Sequence, residues 1–221
     1  MPAGRANPWD LGARRLYLCT PDRPDLEQFV AACLEGGVDL VQLRDKDVAD
    51  DRLVRRAALV QRVCADHGAP FVLNDRPDLA AAIGADGVHV GQDDLSPEAA
   101  RRIMGDGAIV GLSTHASSDL TAALGPDPVP VDYLSAGPVV PTPTKPGRAG
   151  TGVEYVAEAV GRAPWPVWVT GGVEPGSVDG LVAAGARHFV VVRWLTGAVD
   201  PRANARLLRR AIDEAVARLE S

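Results

Sequence analysis

The chain has 221 residues, of which 46% are hydrophobic and 24% charged, the balance of a folded protein rather than a disordered one. Its 23 basic and 29 acidic side chains leave a net charge of −6, which removes the global positive field a nucleic-acid surface needs, so any anion site has to be built locally. Three scattered cysteines exclude a disulfide framework, and no stretch approaches the ~18 uninterrupted apolar residues of a membrane span; with no apolar core in residues 1–11 to read as a secretory signal, a cytoplasmic location is expected.

Aromatic residues are scarce, whereas glycine and proline are plentiful, which favours short aliphatic strands and Ala-rich helices joined by tight turns. The β-branched runs predict strands at Leu16–Thr20, Leu40–Arg44, Phe71–Asp75, Gly87–Val90, Ile109–Thr114, Tyr133–Gly137, Val167–Gly171 and Phe189–Arg193. Between them, helical patterns run near 25–36, 50–67, 77–84, 96–104, 117–124, 153–163, 175–184 and 202–219. Asp50-Asp51 and Ser96-Pro97-Glu98 read as helix starts, and Gly36-Gly37, Gly84, Gly105 and Gly185 as left-handed helix ends. Alternating strands and helices predict an α/β protein with a parallel sheet and right-handed crossovers. The count of eight, the even spacing and the lack of a G-x-G-x-x-G turn after the first strand favour a closed (β/α)8 TIM barrel over an open doubly wound sheet. No linker divides the chain, so the expectation is one TIM-barrel domain over 1–221, with 1–14 an N-terminal extension and 15–219 the barrel. The densest Pro/Gly/Thr stretch, Gly137 to Gly152, is long for a connection inside a compact domain, and such loops are usually functional.

Active sites of these barrels lie at the carboxyl ends of the strands. The second strand leads into Gln42, Arg44 and Lys46, whose i, i+2, i+4 spacing predicts one shared face of an extended segment. The third ends in Leu73-Asn74-Asp75-Arg76-Pro77, where Asp75 is either a helix cap or a functional carboxylate. The fourth ends in His89-Val90-Gly91-Gln92-Asp93-Asp94. Asp75 with one of Asp93 or Asp94 suits a hard divalent cation, because Mg²⁺ takes one or two carboxylates along with waters and substrate phosphate oxygens. His89 reads as a wall or hydrogen-bonding residue, since no second histidine is placed to form a His-rich site. The fifth strand ends in Ser113-Thr114-His115 without a G-x-S-x-G elbow, so the Ser113 hydroxyl reads as a donor to an oxyanion or phosphate rather than a nucleophile. After the sixth, Thr142, Thr144 and Lys145 alternate with prolines in a stiff anion clamp. The seventh and eighth end in Gly171-Gly172 and Val192-Arg193, next to the loops that form the usual phosphate site of such barrels.

Taken together, Val41-Gln42-Leu43-Arg44-Asp45-Lys46, Leu73-Asn74-Asp75-Arg76, Gly87 to Leu95, Gly111-Leu112-Ser113, Gly137 to Lys145 and Thr170-Gly171-Gly172-Val173 resemble the thiamine-phosphate synthase family, in order and from about Leu16 to Leu208. The family joins hydroxymethylpyrimidine diphosphate to hydroxyethylthiazole phosphate, releasing pyrophosphate and forming thiamine phosphate. The resemblance implies that Asp75 and Asp94 bind Mg²⁺. It implies that Gln42, Arg44, Lys46, Asn74, Ser113 and Lys145 hold the pyrimidine diphosphate, with Ser113, Lys145, Arg44 and Lys46 doing the catalytic work on the leaving pyrophosphate. Thr142, Thr144, Gly172, Val192 and Arg193 would hold the thiazole phosphate, the last three through backbone amides. Arg193 stands where many members carry a small residue such as Ser, a change that a backbone-amide contact tolerates. The rival readings are a thiazole tautomerase of the same superfamily, with His89 or His115 as base, and a non-catalytic barrel that binds thiamine phosphate. Retention of Asp75, Asp94, Lys46 and Thr142–Lys145 argues against both. The partners implied are small phosphorylated molecules, not nucleic acid or membrane; a homo-oligomer is compatible with the sequence but not specified by it.

Overall fold

The structure, a computed structural model, describes residues 8–46, 48–125, 127–142 and 149–220. Eight short strands run through it: Leu16–Thr20 (β1), Leu40–Leu43 (β2), Phe71–Asn74 (β3), Gly87–Val90 (β4), Ile109–Thr114 (β5), Tyr133–Ala136 (β6), Val167–Thr170 (β7) and His188–Val191 (β8). The helices between and after them are Leu26–Glu35 (α1), Asp50–Asp66 (α2), Pro77–Ile83 (α3), Pro97–Met104 (α4), Ser117–Ala123 (α5), Gly152–Arg162 (α6), Pro175–Ala183 (α7), Arg193–Thr196 (α8) and Pro201–Glu220 (α9). Each strand pairs in parallel with the next, and β8 pairs with β1, so the sheet closes on itself as a (β/α)8 TIM barrel. Among the described residues no helix is long and apolar enough to cross a membrane.

Closure gives every strand two buried faces, and the period of two sorts the side chains between them. Leu16, Leu18, Val41, Leu43, Phe71, Leu73, Val110, Val169 and Phe189 face the helices and form the larger core. Tyr17, Cys19, Leu40, Val72, Ile109, Tyr133, Trp168 and Val190 fill the barrel itself. Edge-to-face contacts pack Tyr17 against Tyr133 and Trp168, with ring centroids 6.0 and 5.3 Å apart. Three bulky rings in so narrow a space require a gap elsewhere, and Gly111 supplies it: a Cβ there would lie 2.1 Å from Tyr133 Cζ. Residues before β1 close the amino-terminal end, where Leu11 is buried, Trp9 donates from Nε1 to Asp86 Oδ1 at 3.1 Å, and Arg14 lies over the Trp9 ring.

Helix boundaries follow local chemistry. Ser96 caps α4, its Oγ accepting from Ala99 N at 3.3 Å, as its sequence predicts. Asp50 and Asp51, by contrast, sit inside the first turn of α2, and the cap position falls to Ala49, which offers no side-chain acceptor. Gly84 ends α3 in the left-handed conformation; after α1 the positive φ belongs to Gly37, while Gly36 stays right-handed. Gly36 serves packing instead, since a Cβ would meet Ala205 Cβ at 2.5 Å and Arg202 O at 2.6 Å where α9 crosses α1.

The predicted strands differ from the observed ones at their carboxyl ends. β2, β3, β6 and β7 each stop one residue earlier than expected, before Arg44, Asp75, Gly137 and Gly171. Three of those residues have positive φ: 62° at Asp75, 136° at Gly137 and 93° at Gly171, values no strand can continue through. β8 is shifted to His188–Val191, and Arg193, expected as its last residue, opens the short helix α8 instead. The backbone thus leaves the sheet at one end of the barrel, and the polar residues gather there.

Candidate active site

Gln42, Asn74, His89 and Ser113 come from the ends of β2, β3, β4 and β5, and each side chain turns inward with little solvent exposure. With Tyr17, Cys19, Arg44, Ser135, Thr170, Val190 and Val192 they line a cavity of about 60 Å³ at the top of the barrel interior. Gln42, Arg44 and Lys46 do not share one extended face, contrary to the i, i+2, i+4 expectation. Only Gln42 lies in a strand; the Arg44 amide still bonds Thr20 O at 2.8 Å, but Lys46 stands beyond the sheet in a bend. The three reach one mouth because the chain curves over the barrel, not because they share a straight face.

Lys46 is drawn to the third strand end, where its Nζ lies 2.7 Å from Asp75 Oδ2. Asp75 holds a positive φ, unusual for a residue with a Cβ, and its amide donates to His89 O at 2.8 Å, tying the ends of β3 and β4 together. The Asp94 carboxyl comes within hydrogen-bonding reach of the Asp75 carboxyl, and Asp94 Oδ2 also accepts from Gly91 N at 2.8 Å. Burial pushes the Asp75 pKa above its ordinary value; Lys46 pulls it down, and Asp94 pushes it up again. Of the two carboxylates left open at the fourth strand end, Asp94 is therefore the one beside Asp75, whereas Asp93 is exposed. Among the described residues no cluster of three or more His, Cys, Asp or Glu side chains is assembled to hold a metal ion. Two adjacent carboxylates still match what Mg²⁺ asks of a protein when waters and phosphate oxygens complete its shell.

A second and larger cavity of about 250 Å³ adjoins the first, sharing Thr170, Val190 and Val192 with it. Pro138, Thr142, Gly171, Gly172, Val173, Glu174, Arg193 and Trp194 complete its lining. Gly171 and Gly172 have φ of 93° and 77°, and a Cβ on either would strike the loop after β6: Pro138 Cβ at 2.6 Å from the first and Val140 Cγ2 at 2.6 Å from the second. Glycine is needed at both positions for conformation and for the close approach of the two loops. Val192 caps α8, so the Arg193 and Trp194 amides at its start have no acceptor within the helix. Arg193 itself is exposed. Thr142 lines this cavity, while Thr144 and Lys145 lie outside the described residues.

Sequence reasoning missed Tyr17, Cys19, Tyr133 and Ser135, in and below the wall of the first cavity. Tyr17, Cys19 and Tyr133 form a hydrogen-bonded chain with Gln42, His89 and Ser113, and Ser135 lines the wall beside Ser113. The signal was available in the alternation, since Tyr17 and Cys19, and Tyr133 and Ser135, share the inward parity of Gln42 and Ser113 on their strands. His115, the other histidine near the mouth, contacts Gly137 O through Nδ1, and its amide donates to Asp119 Oδ2 at 2.8 Å.

A family model described as thiamine monophosphate synthase matches residues 16–195. A thiamine-phosphate synthase of Thermobifida fusca is 45% identical over 211 residues, covering 94% of this chain and 96% of that protein. One of Thermus thermophilus is 46% identical over 206 residues, covering 90% and 97%. Among solved structures, a thiamine phosphate pyrophosphorylase from Pyrococcus furiosus superposes with a TM-score of 0.81 at 28% identity, covering 91% of this chain and 96% of that one.

Proposed function

The chain belongs to the thiamine monophosphate synthase family and is a transferase, and from that premise we propose that it joins hydroxymethylpyrimidine diphosphate to hydroxyethylthiazole phosphate, giving thiamine phosphate and pyrophosphate. The observation that carries this reading is the pair of adjoining cavities. One is walled by Gln42, Arg44, Asn74 and Ser113, and Asp75, next to Asn74 in the chain, has Lys46 and Asp94 beside it; the other is walled by glycine backbone, Thr142 and the start of α8.

In the proposed reaction the bond between the pyrimidine methylene carbon and the bridging oxygen breaks, and its electron pair leaves with pyrophosphate. The thiazole nitrogen then gives its lone pair to the methylene carbon, forming the C–N bond. No strong base is required, so catalysis rests on stabilising the charge that builds on the leaving oxygens. Arg44 and Lys46 supply fixed positive charge there, and Ser113 supplies a hydroxyl donor; Lys145 is assigned the same task. Gln42 and Asn74 orient the pyrimidine diphosphate. Asp75 and Asp94 would hold Mg²⁺, which when bound contributes charge neutralisation of the diphosphate. Thr142 and Thr144, with the backbone amides of Gly172, Val192 and Arg193, hold the thiazole phosphate, so the exposed Arg193 side chain is free to vary. The loop spanning 138–150 keeps water from the reacting carbon.

The test is direct. The purified protein with both substrates and Mg²⁺ is expected to release pyrophosphate and form thiamine phosphate in equal amounts. Absence of coupling overturns the reading, and isomerisation of a thiazole carboxylate phosphate without pyrophosphate release would replace it with the tautomerase.

A further inference from the structure

In the wall and floor of the first cavity, six side chains from five strands are joined by consecutive hydrogen bonds. Cys19 Sγ donates to Gln42 Oε1 at 3.3 Å, and Gln42 Nε2 donates to Tyr17 Oη at 2.5 Å. Tyr17 and Tyr133 hydroxyls are 3.0 Å apart, Tyr133 Oη is 2.9 Å from His89 Nδ1, and His89 Nε2 is 2.8 Å from Ser113 Oγ. Every member is buried.

Such a chain can carry only one polarity if its first donor is fixed. The amide nitrogen of Gln42 has protons and no lone pair to offer, so Tyr17 must accept from it. The Tyr17 proton then has Tyr133 as its acceptor, and the Tyr133 proton has His89 Nδ1. Burial raises both phenols well above their ordinary pKa, so each keeps the proton it has to donate. With Nδ1 accepting, the neutral imidazole carries its proton on Nε2, and that N–H donates to Ser113 Oγ. The serine O–H is thereby left for an acceptor in the cavity. The reverse polarity would direct the Tyr17 proton at the Gln42 N–H and leave it without an acceptor in the buried interior, where an unmade hydrogen bond is costly.

The geometry points to His89, Tyr133 and Tyr17 as positioning residues that fix Ser113 as a hydrogen-bond donor, its direction set from Gln42 across the barrel. The inference rests on the proposed role of Ser113 toward the leaving pyrophosphate, but the tautomer it requires does not. Tyr133 is the informative link, because it lies below the cavity and does not line it.

Two measurements test this on the full chain. With ¹⁵N-histidine, and the His89 signals assigned by their loss in His89→Gln, the wild-type protein is expected to show a pyridine-type Nδ1 and a protonated Nε2. An Nδ1–H tautomer overturns the proposal whatever the enzyme turns over. In kinetics, Tyr133→Phe is expected to lower kcat about tenfold, less than the ~10²–10³ for loss of an oxyanion donor itself, with KM for the pyrimidine diphosphate within about twofold. In a Ser113→Ala background the same substitution is expected to change kcat by less than about twofold, since its effect passes through the missing hydroxyl. Independent, multiplying effects in the double variant overturn the proposal and leave Tyr133 a packing residue. Should Tyr133→Phe not fold, Tyr17→Phe carries the same pair of expectations from one link further away.

Discussion

Lys46 Nζ lies 2.7 Å from Asp75 Oδ2, so a lysine amine and any divalent cation held by Asp75 and Asp94 would compete for the same carboxylate. Removing the lysine should therefore improve metal binding while impairing catalysis. Lys46→Met is expected to bind Mg²⁺ several-fold more tightly than the parent in calorimetric titration, yet to turn over at least about tenfold more slowly, because a cation at the diphosphate is gone. Asp75→Asn is expected to do the opposite to the metal, raising the Mg²⁺ requirement of turnover about tenfold or more. An unchanged titration in both variants removes Asp75 from the metal site.

Ser113→Ala separates the two subsites. A donor to the leaving oxygens acts mainly in the transition state, so kcat should fall by ~10²–10³ while KM for the thiazole phosphate stays within a few-fold. A rise in that KM with kcat preserved would assign the hydroxyl to the larger cavity.

Gly171→Ala probes the other subsite through the backbone. The new Cβ would have to be accommodated 2.6 Å from Pro138 Cβ at a φ of 93°. Strain of about 1–3 kcal/mol is expected from the conformation alone. The expected outcome is a lowered melting temperature together with a KM for the thiazole phosphate raised about tenfold, the pyrimidine diphosphate KM changing less. Equal loss for both substrates would place Gly171 in general packing.

His188 makes stability depend on acidity at the far end of the barrel. Burial holds its pKa down at about 4, below the ordinary 6.5, with Nδ1 2.6 Å from Arg14 O and the ring against Trp168. Between those two values the unfolded chain binds a proton that the folded chain refuses. Stability is therefore full above pH 6.5 and falls as pH drops toward about 4. The expected loss from about pH 7.5 to about pH 5 is on the order of 2 kcal/mol. His188→Gln should flatten that slope in urea unfolding; a slope equal to the parent's would show that other groups cause it.

The fold was legible because its signals are local: eight β-branched runs with helices between them are written in consecutive residues, and period two accounts for burial on both faces. Strand ends were less so, because a positive φ at Asp75 or the turn into α8 at Arg193 depends on neighbours from other strands. The strand-end polar residues were found by asking what each end carries, and Asp75, Asp94, Ser113 and Gln42 do meet at one mouth. Tyr17 and Tyr133 escaped notice because a tyrosine on a buried strand reads as core until its hydroxyl partner is known, and that partner lies 116 residues away. Strand-end chemistry alone left Asp93 and Asp94 open and the family resemblance named Asp94; the Gly91 turn gives the physical reason, since its amide takes hold of the Asp94 carboxylate.

The last strand pairs with the first, and α9 locks onto α1 where Gly36 admits Ala205. One cavity draws most of its lining from residues 17–135 and the other from 138–194, and the ring that holds them in register closes only where β8 meets β1. A ribosome releasing this chain stepwise would thus leave the outer edge of β1 unpaired until β8 emerges. Long-range closure of this kind makes folding slow relative to a chain of local contacts. The two cavities, lined from both halves of the chain, are complete only once β8 has paired with β1.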